Sequence, residues 1–393
     1  MIRFAAQQVY TLTTPEPVER GFVELSDDGT VLRTGVCAPE EDVPEGILVP
    51  AFVNAHCHVE LSYLKGCFRK GTGMAGFIDQ INALRDSQTP EQKLAAISAA
   101  MDELWQQGVQ AMADISNCAD SFAIKQRSPL YTRTFLEVFG DRPEQCESVM
   151  AGVKALQQQA LAMGLDAAPT PHSCYTMSPE LLTASAVAGL ESGYLSFHSE
   201  ESEQEEEMMR YGRGPMWDNR IRNGIQPPPV TGTSSLEYFL DRLRAGGLQE
   251  PVKGQVLLVH ECALEAEGVQ AAKQALAHPY FCVCPLSNLF IHQTLPPIPL
   301  MRESGIPICV GTDSLSSNDQ LSMAAEISCL QRSFPEVPLG EILGWACLNG
   351  ARFLGLQDRM GSIEPGKKPG IVLLTQPDAP TGASSGYQSR RLC

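Results

Sequence analysis

The chain has 393 residues, 43% of them hydrophobic and 19% charged, with 29 Lys and Arg against 46 Asp and Glu for a formal net charge of −17. That length supports a large buried core plus a minor domain, and the acidic balance repels phosphate backbones and anionic lipid, which argues against nucleic acid and membrane as partners. No run approaches the ~18–20 apolar residues of a membrane span, the start lacks the regions of a signal peptide, and the 13 cysteines show no framework spacing, so a cytoplasmic protein with reduced thiols is expected.

Residues 1–49 read as short strands and turns, with Phe22–Leu25 and Thr30–Leu32 flanking the hairpin signal Asp28-Gly29. Short apolar runs then alternate with longer helical stretches, the rhythm of a parallel β/α fold. Eight strands are expected, at Ile47–Ala55, Gln110–Ile115, Leu130–Phe139, Leu165–Thr170, Tyr194–Phe197, Gln255–Val259, Tyr280–Cys284 and Ile306–Val310. Helices are expected over Pro90–Gln107, Pro143–Met163, Pro179–Leu190, Ala263–Ala277 and Ser322–Ser333. Gly71–Gly76, and the stretch from Trp217 to Pro229, read as irregular segments able to cover one end of the fold. Gly71-x-Gly73-x-x-Gly76 also spells a dinucleotide fingerprint, but it follows no strand and is set aside. Met360–Gly366 and Gly370–Leu374 return to strand and turn texture, and 381–393 reads as a partly ordered tail. The fold class is therefore α/β: a TIM (β/α)8 barrel over 50–357, with a small β-sandwich domain built by 1–49 and 358–393.

A TIM barrel carries its chemistry at the C-terminal ends of its strands. The first strand ends in His56-Cys57-His58, where residues two apart face the same way. The fifth ends in His198, the sixth in His260, and the eighth in Thr312-Asp313, so four of the seven histidines meet one carboxylate if the barrel forms. His56, His58, His198 and Asp313 would hold one divalent ion, zinc first and iron or manganese as alternatives. Glu200 and Glu201 are equal candidates from spacing for moving protons, while Glu203 to Glu207 read as a solvated helix face. Cys282 and Cys284 read as buried strand cysteines, and His58-Val-Glu60 lacks the Pro-Cys-x-x-Cys partner of the small zinc nucleobase deaminases.

Pro50-Ala-Phe-Val-Asn-Ala-His-Cys-His58, His198-x-x-Glu201, Val259-His260, Cys284-Pro-Leu-Ser-Asn288 and Gly311-Thr-Asp-Ser-Leu-Ser-Ser-Asn318 follow one another along nearly the whole chain. In that order they resemble the metal-dependent deaminase and chlorohydrolase branch of the amidohydrolase superfamily. The resemblance implies a single metal ion on the four ligands named, Glu201 as proton shuttle, and His260 and Asp313 as the groups that orient and deprotonate the attacking water. Strand four lacks the lysine of dinuclear relatives. Pro171-His172-Ser-Cys-Tyr-Thr176 is similar to a substrate-facing motif, with Cys174 in place of its second proline, and makes His172 a substrate contact. Arg133, Asn288 and Trp217, the last by stacking on a flat ring, are further candidates for the pocket. The activity implied is hydrolytic deamination of a purine base or adenine-type nucleoside, aminodeoxyfutalosine among them, by a homodimer. The alternatives are a triazine-type chlorohydrolase, a cyclic-amide hydrolase with two metal ions, and an inactive barrel serving as an assembly protein.

Overall fold

Strands β1 (Ile2–Val9), β2 (Val18–Leu25) and β3 (Val31–Val36) form an antiparallel meander. The β2–β3 hairpin turns at Asp28-Gly29, where Gly29 takes φ 82°, a left-handed value that a residue without Cβ adopts freely. In the computed structural model, which describes residues 1–376 and 386–393, β4 (Ile47–Pro50), β13 (Ile371–Thr375) and β14 (Gln388–Arg391) complete a six-stranded sheet. Its order is β14-β13-β4-β1-β2-β3, so both ends of the chain share it. All six strands are joined in this hydrogen-bonded order, and Ile363 from the preceding segment packs with Val23, Leu25, Leu48 and Ile371 into a core of its own. The expected tail needs correction. Residues 381–385 lie outside the described residues, but β14 is a paired strand, anchored by Arg391, whose guanidinium lies 3.5 Å from the Trp105 ring centre and donates to Val109 O and Gln110 Oε1.

Eight parallel strands follow the small sheet: β5 (Phe52–Cys57), β6 (Val109–Ser116), β7 (Tyr131–Val138), β8 (Asp166–Pro171), β9 (Tyr194–Ser199), β10 (Val252–His260), β11 (Leu276–Val283) and β12 (Ile308–Val310). They pair as two four-stranded sheets, β5-β6-β7-β8 and β12-β11-β10-β9. Two seams close them into a TIM barrel. At one, His198 N–H donates to His172 O at 3.0 Å; at the other, the N–H groups of Thr312 and Asp313 both reach His56 O at 3.0 Å. The second seam needs Gly311, since a Cβ there would sit 2.8 Å from His56 O. Ala113, Phe135, Val259, Cys282 and Cys309 fill the interior.

Helices cover the outside, and their starts are written in caps. Thr89 and Gln92 form a capping box ahead of Pro90–Gln106, Ser178 caps Pro179–Leu190, and Ser322 caps Met323–Ser333. Two helices stand where irregular loops were expected, over Gly73–Leu84 and Pro215–Arg222. They are tied together, because Asn219 Nδ2 donates to Ala75 O at 3.2 Å and Asp79 Oδ1 at 2.8 Å, and Arg222 reaches Asp79 Oδ2 at 2.8 Å. Among the described residues no helix is long and apolar enough to cross a membrane, and all thirteen cysteines are free thiols.

Candidate active site

The mouth of the barrel is built by breaks in strand alternation. On β5, Asn54 pairs with Met112 but Cys57 with Asp114, so three residues of β5 span two of β6. This bulge resets the phase: Val53 and Ala55 face the interior, Phe52 and Cys57 the outer core, and His56 and His58 turn inward. Asn54 fixes the neighbouring turn, donating to Thr312 Oγ1 at 2.8 Å and accepting Thr312 N–H at 3.1 Å. On β10, Leu257 and Val259 face the interior, so regular alternation would send His260 outward; its φ of 79° brings it back to the mouth. Asp313 also has positive φ, 55°.

Four donor atoms converge there. His58 Nε2 lies 3.1 Å from His56 Nε2 and 3.3 Å from His198 Nε2, while Asp313 Oδ1 is 3.5 Å from His58 Nε2 and 3.8 Å from His56 Nε2. Ligands ~2.0–2.1 Å from a zinc ion would stand ~3.3 Å apart, so these edges match a single coordination shell. Three buried imidazole nitrogens and a carboxylate oxygen facing one another at these distances fit a divalent cation. Burial and the neighbouring imidazoles hold His56 well below its usual pKa, which leaves its ring neutral, as a metal ligand must be. Asp313 keeps Oδ1 free because Oδ2 accepts from Ser287 Oγ at 2.6 Å and Ser317 Oγ at 2.7 Å.

Beside these donors, Glu201 Oε1 lies 3.8 Å from His260 Nε2 and 3.4 Å from His292 Nε2. Burial alone would raise this carboxyl, but His260 and His292 outweigh it and hold it at about 2, so it rests ionised. Asn288 Nδ2 meets His260 Nδ1 at 3.1 Å. Its Nδ2 is thus directed at His260, while its Oδ1 has no partner among the described residues. Glu200 points elsewhere: burial, then its neighbour Glu206, lifts it to about 8. The solvated-face expectation fails for Glu205 and Glu206, which are buried. Each accepts a backbone N–H that the fold leaves open, Glu205 from Glu201 at 2.9 Å and Glu206 from Ser235 at 3.0 Å.

His172 stacks on His198, ring centres 4.7 Å apart, with Nδ1 held by the Ser173 and Thr176 hydroxyls at 2.8 and 2.9 Å. Burial lowers its pKa to about 4, so it sits at the mouth as a neutral ring. Glu137, absent from the sequence reading, places Oε1 3.5 Å from His198 Nδ1 and 3.9 Å from His172 Nε2. Alternation carried the signal, since Glu137 follows the inward Phe135 by two. Arg133 lies at the far end of that same face, four residues lower, or ~13 Å down the strand. Its guanidinium binds Asp166 at 2.8 Å and Ser192 at 2.6 Å beneath the interior, so it is a structural ion pair and not a pocket residue. Trp217 also departs from expectation: it sits on the helix Pro215–Arg222, half-buried, with its ring edge 3.3 Å from where a Cβ on Gly212 would stand. His292 was missed as well, although it lies one helical turn past Asn288 and so on the same face.

A sequence profile of the amidohydrolase family matches residues 47–386. The chain is 26% identical over 390 residues to a 5-methylthioadenosine/S-adenosylhomocysteine deaminase of Syntrophomonas wolfei, covering 92% of this chain and 82% of that one. In three dimensions it matches Helicobacter pylori aminofutalosine deaminase, solved in complex with methylthio-coformycin, with a TM-score of 0.75 at 23% identity over 97% of this chain and 94% of that one. It also matches an adenosine deaminase from Xanthomonas campestris with bound zinc, with a TM-score of 0.71 at 20% identity over 95% and 84%.

Proposed function

The chain belongs to the amidohydrolase family, and from that premise we propose that it hydrolytically deaminates an aminated heterocycle, an adenine-type nucleoside first, with zinc as its ion. The observation that carries this reading is the convergence of His56, His58, His198 and Asp313 with the ionised Glu201 alongside. Relatives named for adenine nucleosides and zinc lend it support.

A divalent ion bound by those four side chains supplies Lewis acidity and lowers the pKa of water towards ~7. The chain's own groups do the rest. His260 and Asp313 orient the attacking water, and Asp313 takes a proton from it. Glu201, a carboxylate at rest, takes the water's other proton and delivers it to the ring nitrogen beside the carbon bearing the amino group, which makes that carbon electrophilic. Oxygen adds there, the C–N bond breaks, and a proton relayed by Glu201 or Asp313 leaves with ammonia. In balance, one water enters, one ammonia departs, and the ring gains a carbonyl. His172, neutral at the mouth, is a substrate contact in this reading. A second ion on Glu137, His172 and His198 is disfavoured: His198 Nδ1 is aimed at His172 O at 3.2 Å and must carry its proton.

The test is ammonia release by zinc-reconstituted protein from adenosine, 5′-methylthioadenosine, guanine, cytosine and an aminotriazine, with metal content measured in parallel. One ion per chain and fastest release from an adenine nucleoside are expected. Two ions per chain with cleavage of ring amides instead would overturn the reading.

A further inference from the structure

One short helix, Pro285–Ile291, with the residue that follows it, touches each of the three groups assigned to the chemistry. Ser287 Oγ holds Asp313 Oδ2 at 2.6 Å, and Asn288 Nδ2 holds His260 Nδ1 at 3.1 Å. His292 Nε2 approaches Glu201 Oε1 at 3.4 Å. The helix is itself fixed from behind, since Leu286 N–H donates to the buried Glu326 at 2.9 Å, and Asn318 Nδ2 holds the other oxygen of that carboxyl at 2.8 Å.

Glu201 is the most mobile of the three by construction, having three side-chain torsions to order. Its backbone N–H is pinned by Glu205. Its carboxylate is not: among the described residues, His292 makes the sole hydrogen bond to it, because His260 at 3.8 Å is too far. The His292 side chain is 6% exposed, so its position is set by packing rather than by solvent. A carboxylate that must meet one ring nitrogen within ~2.6–3.2 Å loses rate steeply when it drifts by an ångström.

We propose that His292 is a positioning residue: it holds Oε1 of Glu201 so that Oε2 is presented to the substrate ring. This rests on Glu201 being the proton carrier. The experiment therefore compares E201Q, H292N and H292Q in the zinc-loaded full chain, with 5′-methylthioadenosine as substrate and methylthio-coformycin as the tight-binding probe. A Gln amide nitrogen at 292 reaches the place of Nε2, whereas an Asn amide stops short of it. H292N should keep metal content and KM within about twofold while kcat falls about 10–100-fold, the loss typical of removing a ~1–3 kcal/mol contact made in the transition state. H292Q should recover most of kcat. By calorimetry, H292N should weaken methylthio-coformycin by a similar factor and leave the inosine-type product unaffected. Wild-type kcat in H292N, or H292Q no better than H292N, would overturn the role of His292 while E201Q stays inactive. Turnover by E201Q overturns instead the assignment of Glu201, and wild-type protein inert towards every heterocycle of the panel overturns the proposed function and this inference with it.

Discussion

At the scale of single residues, buried polar side chains hold the working groups of the site in place. Asn288 meets His260 Nδ1 with its amide and so fixes how the ring is turned. Asn288→Ala should therefore cut kcat/KM by about 10–100-fold at unchanged metal content, the equivalent of losing a ~1–3 kcal/mol buried contact; steady-state kinetics with metal analysis would check it. Much of this scale was legible in the sequence. His56, His58, His198, His260, Asp313 and Glu201 stood at strand ends in a recognisable order. Arg133 misled because its side chain does face inward, and alternation alone does not say at which end of the barrel. His292 and Glu137 stayed hidden because one follows a helix too short to announce itself and the other ends a strand as a lone acid.

At the scale of elements, short helices brace the strands they follow. The helix Phe122–Arg127 carries Lys125 into a site with no exposure, where Nζ meets Asp114 Oδ2 at 2.6 Å and the Ser116 and Thr134 hydroxyls at 3.0 Å. Asp114 Oδ1 in turn accepts Val59 N–H at 2.9 Å, directly after His58. Lys125→Met removes one partner and strands a buried carboxylate, so unfolding free energy should drop by about 3–5 kcal/mol, measurable by urea denaturation. Strands were readable from composition because apolar runs of their length occur between helices of different period. The mid-strand bulge of β5 was not, for it leaves no residue type as a mark. Nor were the helices Gly73–Leu84 and Pro215–Arg222, which open with glycine-rich or proline-containing sequence and gain stability from each other.

At the scale of the whole molecule, buried acids tie stability to pH. Burial lifts the Glu326 carboxyl from 4.5 to about 8. Between those values the native chain keeps a proton there that the unfolded chain has released, so stability should decline as pH rises through that window. Glu326→Gln should flatten that part of the profile, and denaturation midpoints taken from pH 5 to 8 would show it. The barrel itself carries a different dependence. His56 and His58 belong to the half built from β5 to β8, whereas His198 and Asp313 belong to the half built from β9 to β12. An ion held by these four side chains would act as a rivet through both joins of the drum, so that the chemistry would borrow a fastener that the architecture also uses. Chelation should lower the melting temperature, with zinc restoring it. Deuterium uptake should rise first along the two joins, at His198 on one side and at Thr312 and Asp313 on the other, before the outer helices loosen.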